Sequence, residues 1–385
     1  MAIAIQEFVG AWTSKVRSFI GRRRVLVVLD PAVEAAFEIM ATLNSLGSAD
    51  SVTPFMDFSP NPTWDSLSAA MAVARSNKAE CVLAIGGGTA MDLAKLTATA
   101  LQMGGVDQLW ATTEARYEVS ISRTDIGLIA IPTTAGTGAE VTRFAVLYRD
   151  GIKYSLSGDA LKPDAWALDP SLLASLPRSV IADAGLDAIC QAMESLWSVR
   201  STSESELHAQ AALDLGIEHL ESAIHSSDNV SLTGMQVSAH LAGKAINLTT
   251  TTAPHALSYG LTSLFGIPHG RAVAILFGHV FKRNAKVSDG HCAHPEGPMF
   301  VRPRLNEIAK CWGQTCESFP DWWEGYLHDR LQIPRLDAKA TSLQIDQLND
   351  SVNAVRLANN PLAFTPNDIR EIYQSLFEAN SPSLT

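Results

Sequence analysis

Cys81-Val-Leu-Ala-Ile-Gly-Gly-Gly-Thr-Ala-Met-Asp-Leu-Ala-Lys95 changes its pattern halfway along. Its first residues, Cys81 to Ile85, form a continuous apolar run, the length of a strand buried on both faces. Gly86, Gly87 and Gly88 then open a helix-forming segment that begins at Thr89. Glycines at such a turn let the backbone approach a phosphate closely, and the helix N-terminus offers unsatisfied N–H groups with a partial positive charge. The spacing is not G-x-G-x-x-G, and a tight strand-to-helix turn accounts for three glycines equally well.

Working outward, the same alternation recurs. Arg24-Val-Leu-Val-Val-Leu-Asp30 reads as a second buried strand, preceded by an amphipathic helix over 4–21 and followed by a helix over 31–47. Phe55-Met-Asp-Phe-Ser-Pro-Asn-Pro62 is a strand end passing into a proline-rich turn, with a helix over 63–78 after it. Leu128-Ile-Ala-Ile131 is another buried strand, and it runs into Pro132-Thr-Thr-Ala-Gly-Thr-Gly-Ala-Glu140. Alternating helices and continuous apolar strands predict a parallel sheet covered on both faces. Both glycine loops leave the carboxyl ends of strands, where ligands of open α/β sheets bind. The hydroxyls of Thr133, Thr134 and Thr137 suit a diphosphate or a nicotinamide amide. Asp30 can accept hydrogen bonds from an adenosine ribose and would repel a 2′-phosphate. It is equally a good N-cap before Pro31.

After Asp169-Pro-Ser-Leu-Leu173 the patterns turn helical, and strand signals vanish from Ser179 onward. We expect an α/β dinucleotide-binding domain over 1–177 and a helical domain over 178–385. The chain has 385 residues, 46% of them hydrophobic and 18% charged, with a net charge of −11. That balance argues against nucleic acid or an anionic membrane surface as partner. No apolar run approaches the roughly 18 residues of a spanning helix. Arg22-Arg23-Arg24 follows the apolar residues, the wrong order for a secretory leader. The five cysteines include no C-x-x-C pair. A reduced, cytoplasmic protein is expected.

The helical part holds its own constellation. His255 and His269 flank an apolar segment that ends in Gly266-Ile-Pro-His-Gly270. Neutral imidazole is the commonest side-chain metal ligand. In Gly185-Leu-Asp-Ala-Ile-Cys-Gln-Ala-Met-Glu194, Asp187 and Gln191 stand four residues apart, on one helix face. Asp187, His255 and His269 with open positions suit a catalytic Fe(II) or Zn(II). His279 competes as a ligand, whereas His291 and His294 read as residues of a surface loop. Taken alone, each histidine is more often a hydrogen-bonded structural residue than a ligand.

Taken in order, these motifs carry a resemblance. Gly86–Lys95, Ile131–Glu140, Asp169-Pro170, Gly185-Leu-Asp187 and the pair His255/His269 before Gly270 resemble the iron-containing, or group III, alcohol dehydrogenases over nearly the whole length. The resemblance implies a dehydroquinate synthase-like fold, with a dinucleotide domain, a helical metal domain and a cleft between them. It implies the diphosphate on Gly86 to Thr89 and the nicotinamide near Thr133, Thr134 and Thr137, with Asn61, Asp92 and Lys153 among the cofactor residues. It implies metal on Asp187, His255 and His269. Two positions depart from the family: Gln191 stands where a His ligand is usual, and Tyr259 where another His is common. A Gln oxygen is a weaker, neutral ligand. A Tyr hydroxyl can donate a proton to an alkoxide.

Asp187 to Ser198 and Thr251 to Tyr259, with Asp57–Pro62 and Glu140–Val146, look like the phosphonoacetaldehyde reductase branch of the family. Thr250 is the mismatch, since that branch leads us to expect Lys there. The expectation is an NAD(P)H-dependent, metal-assisted reductase of a small anionic aldehyde, phosphonoacetaldehyde first and sulfoacetaldehyde second. NADH is preferred on account of Asp30, Tyr259 is the proton donor, Arg143 receives the anionic tail, and the protein is a homodimer. A general short-chain alcohol dehydrogenase, a dehydroquinate synthase-like lyase and a metal-free nucleotide-binding protein are the alternatives.

Overall fold

The computed structural model describes residues 10–46, 51–113, 118–336 and 339–378. Among the described residues seven strands are formed: β1 (Val25–Leu29), β2 (Val52–Phe55), β3 (Cys81–Gly86), β4 (Gly127–Pro132), β5 (Phe144–Arg149), β6 (Ile152–Ser157) and β7 (Ala165–Trp166). Five of them make one parallel sheet in the order β2-β1-β3-β4-β7. Alternation along the strands explains why both faces are covered. Leu26, Val28, Val82, Ala84, Leu128 and Ala130 join one core, which includes the helix Gly88–Met103. Val25, Val27, Leu29, Leu83, Ile85 and Ile129 point the other way, into a core with Trp12, Val16 and Ile20.

From β1 the chain steps to β2 on one side, then returns past β1 to β3. The order therefore reverses between β1 and β3, the crevice in which doubly wound sheets hold their ligands. Asp30 closes that crevice on one side, and its backbone N–H donates to Ile85 O at 3.0 Å.

Two expectations need correction, and one hairpin was not expected. The helix over 31–47 is two helices, Pro31–Phe37 and Ile39–Leu46, broken at Glu38. That residue is left-handed, with φ 49°. The hairpin β5–β6 was not anticipated, although Asp150-Gly151 at its turn, both with positive φ, is the strongest short hairpin signal. Last, the chain packs as two units: Met1–Pro177 with Asp228–Gly243, and Arg178–Ser227 with Lys244–Thr385. The division at Pro177 is thus interrupted by one exchanged segment. Residues 4–9 of the first expected helix, and Gly47, lie outside the described residues.

The exchanged segment has specific work in the first unit. Gln236 Nε2 donates to Pro132 O at 3.1 Å, and His240 Nδ1 lies 3.0 Å from Glu140 Oε1, both groups buried. Gly138 and Gly243 meet backbone to backbone: a Cβ on Gly138 would stand 2.4 Å from Gly243 Cα. Gly138 also has φ 58°, which favours glycine in its own right.

The second unit is helical, built on Arg178–Trp197, Ser203–His225, Ala253–Phe265 and His269–Asn284. Among the described residues no helix is long and apolar enough to cross a membrane.

Candidate metal centre and nucleotide loops

In the first unit the two glycine loops abut. Thr133 N–H donates to Gly86 O at 3.0 Å. A Cβ on Gly87 would lie 3.2 Å from Thr134 Cγ2, and one on Gly88 would lie 3.0 Å from Thr137 Cγ2. Any side chain at 87 or 88 would therefore crowd the threonines. At Gly86 a Cβ would come within 2.6 Å of Ala90 Cβ and 3.0 Å of Asp30 Cβ, so that glycine is required by packing. Asn61, itself left-handed, donates its N–H to Thr89 Oγ1 at 3.2 Å. Asp30, Asn61, Gly86–Thr89 and Thr133–Thr137 thus gather around the β1/β3 crevice.

The remaining first-unit candidates have structural duties. Asp30 Oδ1 accepts from Ala32 N–H at 2.9 Å, so the capping role is present. Asp92 Oδ2 accepts from Val146 N–H at 2.9 Å and ties the helix Gly88–Met103 to β5. Lys153 sits on β6 opposite Tyr148. Arg143 pairs with Asp159 at 3.8 Å, with 45% of its side chain exposed.

In the second unit the metal candidates come together. Asp187, His255 and His269 offer ligand atoms that all lie within 4.8 Å of one another. The helix Arg178–Trp197 contributes Asp187 and Gln191, Ala253–Phe265 contributes His255, and His269 begins its own helix. Gly270 lets that helix start so close. A Cβ there would stand 1.9 Å from Asp183 O and 3.0 Å from Asp187 Cβ.

Hydrogen bonds set the imidazoles. His255 Nδ1 lies 2.5 Å from Glu194 Oε1, and its Nε2 lies 3.1 Å from Asp187 Oδ1. Ser258 Oγ donates to His255 O at 2.8 Å and therefore accepts from His269 Nδ1, 3.4 Å away. Both imidazoles are oriented through Nδ1, and Nε2 of His255 faces the Asp187 carboxylate, the arrangement by which outer hydrogen bonds aim metal-bound histidines. Glu194 Oε2 accepts from Thr252 N–H at 2.6 Å and from Thr252 Oγ1 at 2.9 Å.

The electrostatics ask for a cation. Burial works against the charge on Asp187, but hydrogen bonds from His255 and Gln191 and the nearby imidazoles outweigh it, and its pKa is lowered. Burial also opposes the charge on His255; Glu194 and Asp187 overcome it and raise that pKa to about 9. Gln191 Oε1 is buried with no hydrogen-bond partner. An orphan oxygen beside a carboxylate and two aimed imidazoles is a donor set that fits a divalent metal.

Tyr259, one turn beyond His255, is buried, with its ring 6.3 Å from that of His269. His279 lies outside the group: Ser375 Oγ donates to Ile372 O and accepts from His279 Nδ1 at 3.1 Å. The surface-loop expectation fails for His294, which is buried because its ring stacks on Phe300 at 4.0 Å. The sequence reading missed Glu194 as a supporting residue. Its signal was present, since positions 187, 191 and 194 share one helix face.

A family model described as iron-containing alcohol dehydrogenase matches residues 9–170, and its C-terminal counterpart matches 181–377. A phosphonoacetaldehyde reductase of Streptomyces viridochromogenes is 39% identical over 259 residues, 66% of this chain and 65% of that protein. The long-chain-alcohol dehydrogenase 1 of Geobacillus thermodenitrificans is 34% identical over 68% of this chain and 66% of its own length. The match therefore spans just under two thirds of each of these relatives. A sulfoacetaldehyde reductase of Bifidobacterium kashiwanohense, solved with NAD+, superposes with a TM-score of 0.82 at 27% identity, covering 97% of this chain and 96% of that one.

Proposed function

The chain belongs to the iron-containing alcohol dehydrogenase family, and from that footing we propose that it is an NADH-dependent, metal-assisted reductase of a small anionic aldehyde. The observation that carries the reading is the Asp187–His255–His269 group, with Glu194 behind one imidazole and the orphan oxygen of Gln191 beside it. Phosphonoacetaldehyde is the first substrate, supported by the 39% identical Streptomyces relative. Sulfoacetaldehyde is the second, supported by the Bifidobacterium structure. Both present a two-carbon aldehyde with a tetrahedral oxyanion tail. The reading includes a homodimer and a cytoplasmic location.

Asp187, His255 and His269 would hold Fe(II) or Zn(II), with the neutral oxygen of Gln191 as a weaker fourth donor. The metal would supply Lewis acidity and the nicotinamide a hydride, so that aldehyde, NADH and one proton give alcohol and NAD+. The protein's own part is positioning. Gly86–Thr89 would hold the diphosphate on backbone N–H groups. Thr133, Thr134 and Thr137 would fix the nicotinamide amide. Asp30 would accept from the ribose hydroxyls and disfavour a 2′-phosphate. The Tyr259 hydroxyl would give its proton to the product oxygen. Glu194 would keep the His255 ring turned with Nε2 toward the metal.

Metal analysis of the purified protein, with NADH oxidation followed for phosphonoacetaldehyde, sulfoacetaldehyde and propanal, tests this reading. Net NADH consumption with a preference for the anionic aldehydes is expected. A lyase of this fold would regenerate its cofactor within each turnover and consume none. Preference for propanal would leave a general alcohol dehydrogenase, and no bound metal would favour the nucleotide-binding alternative.

A further inference from the structure

Resting on the dinucleotide reading of the two glycine loops, we infer that Gln236 and His240 are positioning residues: they hold the second loop in the shape that receives the nicotinamide end of the cofactor. Gln236, His240 and Gly243 stand four and then three residues apart on the helix Asn229–Thr249. That spacing puts all three on one helix face. The face lies against the segment Pro132–Glu140, which carries Thr133, Thr134 and Thr137.

Three contacts bracket the threonines. At the entry, Gln236 Nε2 donates to Pro132 O at 3.1 Å, and the next residue, Thr133, gives its N–H to Gly86 O at 3.0 Å. Further along, a Cβ on Gly243 would stand 2.7 Å from both Gly138 Cα and Gly138 O, so helix and loop touch through bare backbone. At the exit, His240 Nδ1 lies 3.0 Å from Glu140 Oε1. A carboxylate oxygen accepts there, so the ring donates. Trp166, paired with Ala130 across β7 and β4, seats the same ring at 4.2 Å between centroids. Just past the exit, Lys95 Nζ donates to Thr142 O at 3.0 Å and to Phe144 O at 2.8 Å, which fixes where the loop must end.

Packing alone gives no reason for Gln236. The residue is 1% exposed, and its Oε1 is buried with no hydrogen-bond partner among the described residues. A buried amide with one bond unmade costs stability that an apolar side chain of similar size would not. What the amide gains is a donor on the carbonyl immediately before Thr133. An orphaned buried polar atom calls for an explanation, and placement of the loop supplies one. Binding groups need supporting side chains that are themselves locked, holding the site to within about 0.5 Å. Gln236 and His240 meet that need, both buried on one helix and both tied to the loop they support. The first loop, Gly86–Thr89, would carry the diphosphate, so the two ends of the cofactor should answer differently when this helix face is changed.

Titration of the full-length protein with two ligands tests the assignment. ADP-ribose has the adenosine, both phosphates and the second ribose of NADH, and lacks the nicotinamide. Gln236→Met removes the donor and the orphan oxygen together, so its thermal unfolding midpoint should stay near that of wild type. Its Kd for NADH, from fluorescence titration, should rise about tenfold, while its Kd for ADP-ribose, from calorimetry, moves less than about twofold. At position 240 the conservative change is asparagine, whose Nδ2 can donate where the ring Nδ1 does. His240→Asn should keep the wild-type ratio of the two constants, and His240→Leu should lose it. Equal weakening of both ligands, or of neither, in Gln236→Met and His240→Leu would leave this helix face a packing surface only. If wild type holds ADP-ribose as tightly as NADH, the second loop gives the nicotinamide nothing, and the positioning role falls while the diphosphate reading stands. If wild type binds neither ligand, the dinucleotide reading falls and takes the positioning role with it.

Discussion

Glu194 Oε1 stands 2.5 Å from Nδ1 of His255, and the same carboxylate caps Thr252 through its other oxygen. One fully buried acid thus orients an imidazole and anchors the start of the helix that bears it. Glu194→Gln keeps the shape and removes the charge. We expect Zn(II) affinity, measured by competition with a chromophoric chelator, to drop about 10–100-fold. Unchanged affinity would show that Glu194 serves only the helix start.

Gly270 is the tightest point of the metal group, because an added methyl would meet Asp183 O at 1.9 Å. Backbone cannot yield as a side-chain tip can, so the two helices would have to part. Gly270→Ala should destabilise by about 3 kcal/mol or more and lose metal with it. Thermal unfolding with and without added Zn(II) reads both effects; a stable variant with normal zinc binding would contradict the packing argument.

Asp30 carries two readings that a single variant separates. Its cap on Ala32 N–H is observed, and glycine costs an N-cap only about a few tenths of a kcal/mol. Asp30→Gly should therefore fold normally while its NADH-over-NADPH ratio of kcat/KM falls about tenfold or more. Should wild type already favour NADPH, Asp30 is a cap and nothing else.

Lys95 makes stability depend on pH. Its ammonium is buried and donates to Thr142 O at 3.0 Å and Phe144 O at 2.8 Å. Desolvation pushes its pKa down from 10.5 to about 8, against the pull of Asp92 and Glu140. Below about 8 the lysine is charged in both states, and the folded state bears the cost of burying that charge. Between about 8 and 10.5 the folded protein has released this proton while the unfolded chain still holds it, so stability rises with pH. Compared with Lys95→Met, wild type should gain about 1–2 kcal/mol between about pH 7.5 and 9.5 in urea unfolding. A difference that stays flat over that window would mean the ammonium is better solvated than its surroundings suggest.

The residues that carried the fold were those whose burial leaves a pattern. Continuous apolar runs announced β1, β3 and β4, and the glycines after them announced the loops that now abut at Thr134 and Thr137. Asp187, His255 and His269 stood out because few side chains ligate metals and because their motifs follow the order of the family they resemble. What escaped has a physical reason in each case. Glu38 breaks a helix through its own backbone angle, which no apolar period records. Glu194 looked like an ordinary helix acid until its partner, sixty-one positions away, was known. The segment Asp228–Gly243 has a helical pattern indistinguishable from its neighbours, so only tertiary packing reveals which core it completes.

That exchanged segment also constrains how this gene can be cut and recombined. A fragment stopping at Pro177 would encode the sheet but omit Gln236, His240 and Gly243, stranding the buried Glu140 carboxylate and the Pro132 carbonyl and baring the face of Gly138. Chimaeras that trade the nucleotide-binding part with a relative therefore need two further crossovers, flanking 228–243, so that both glycines of the Gly138–Gly243 contact descend from the same parent.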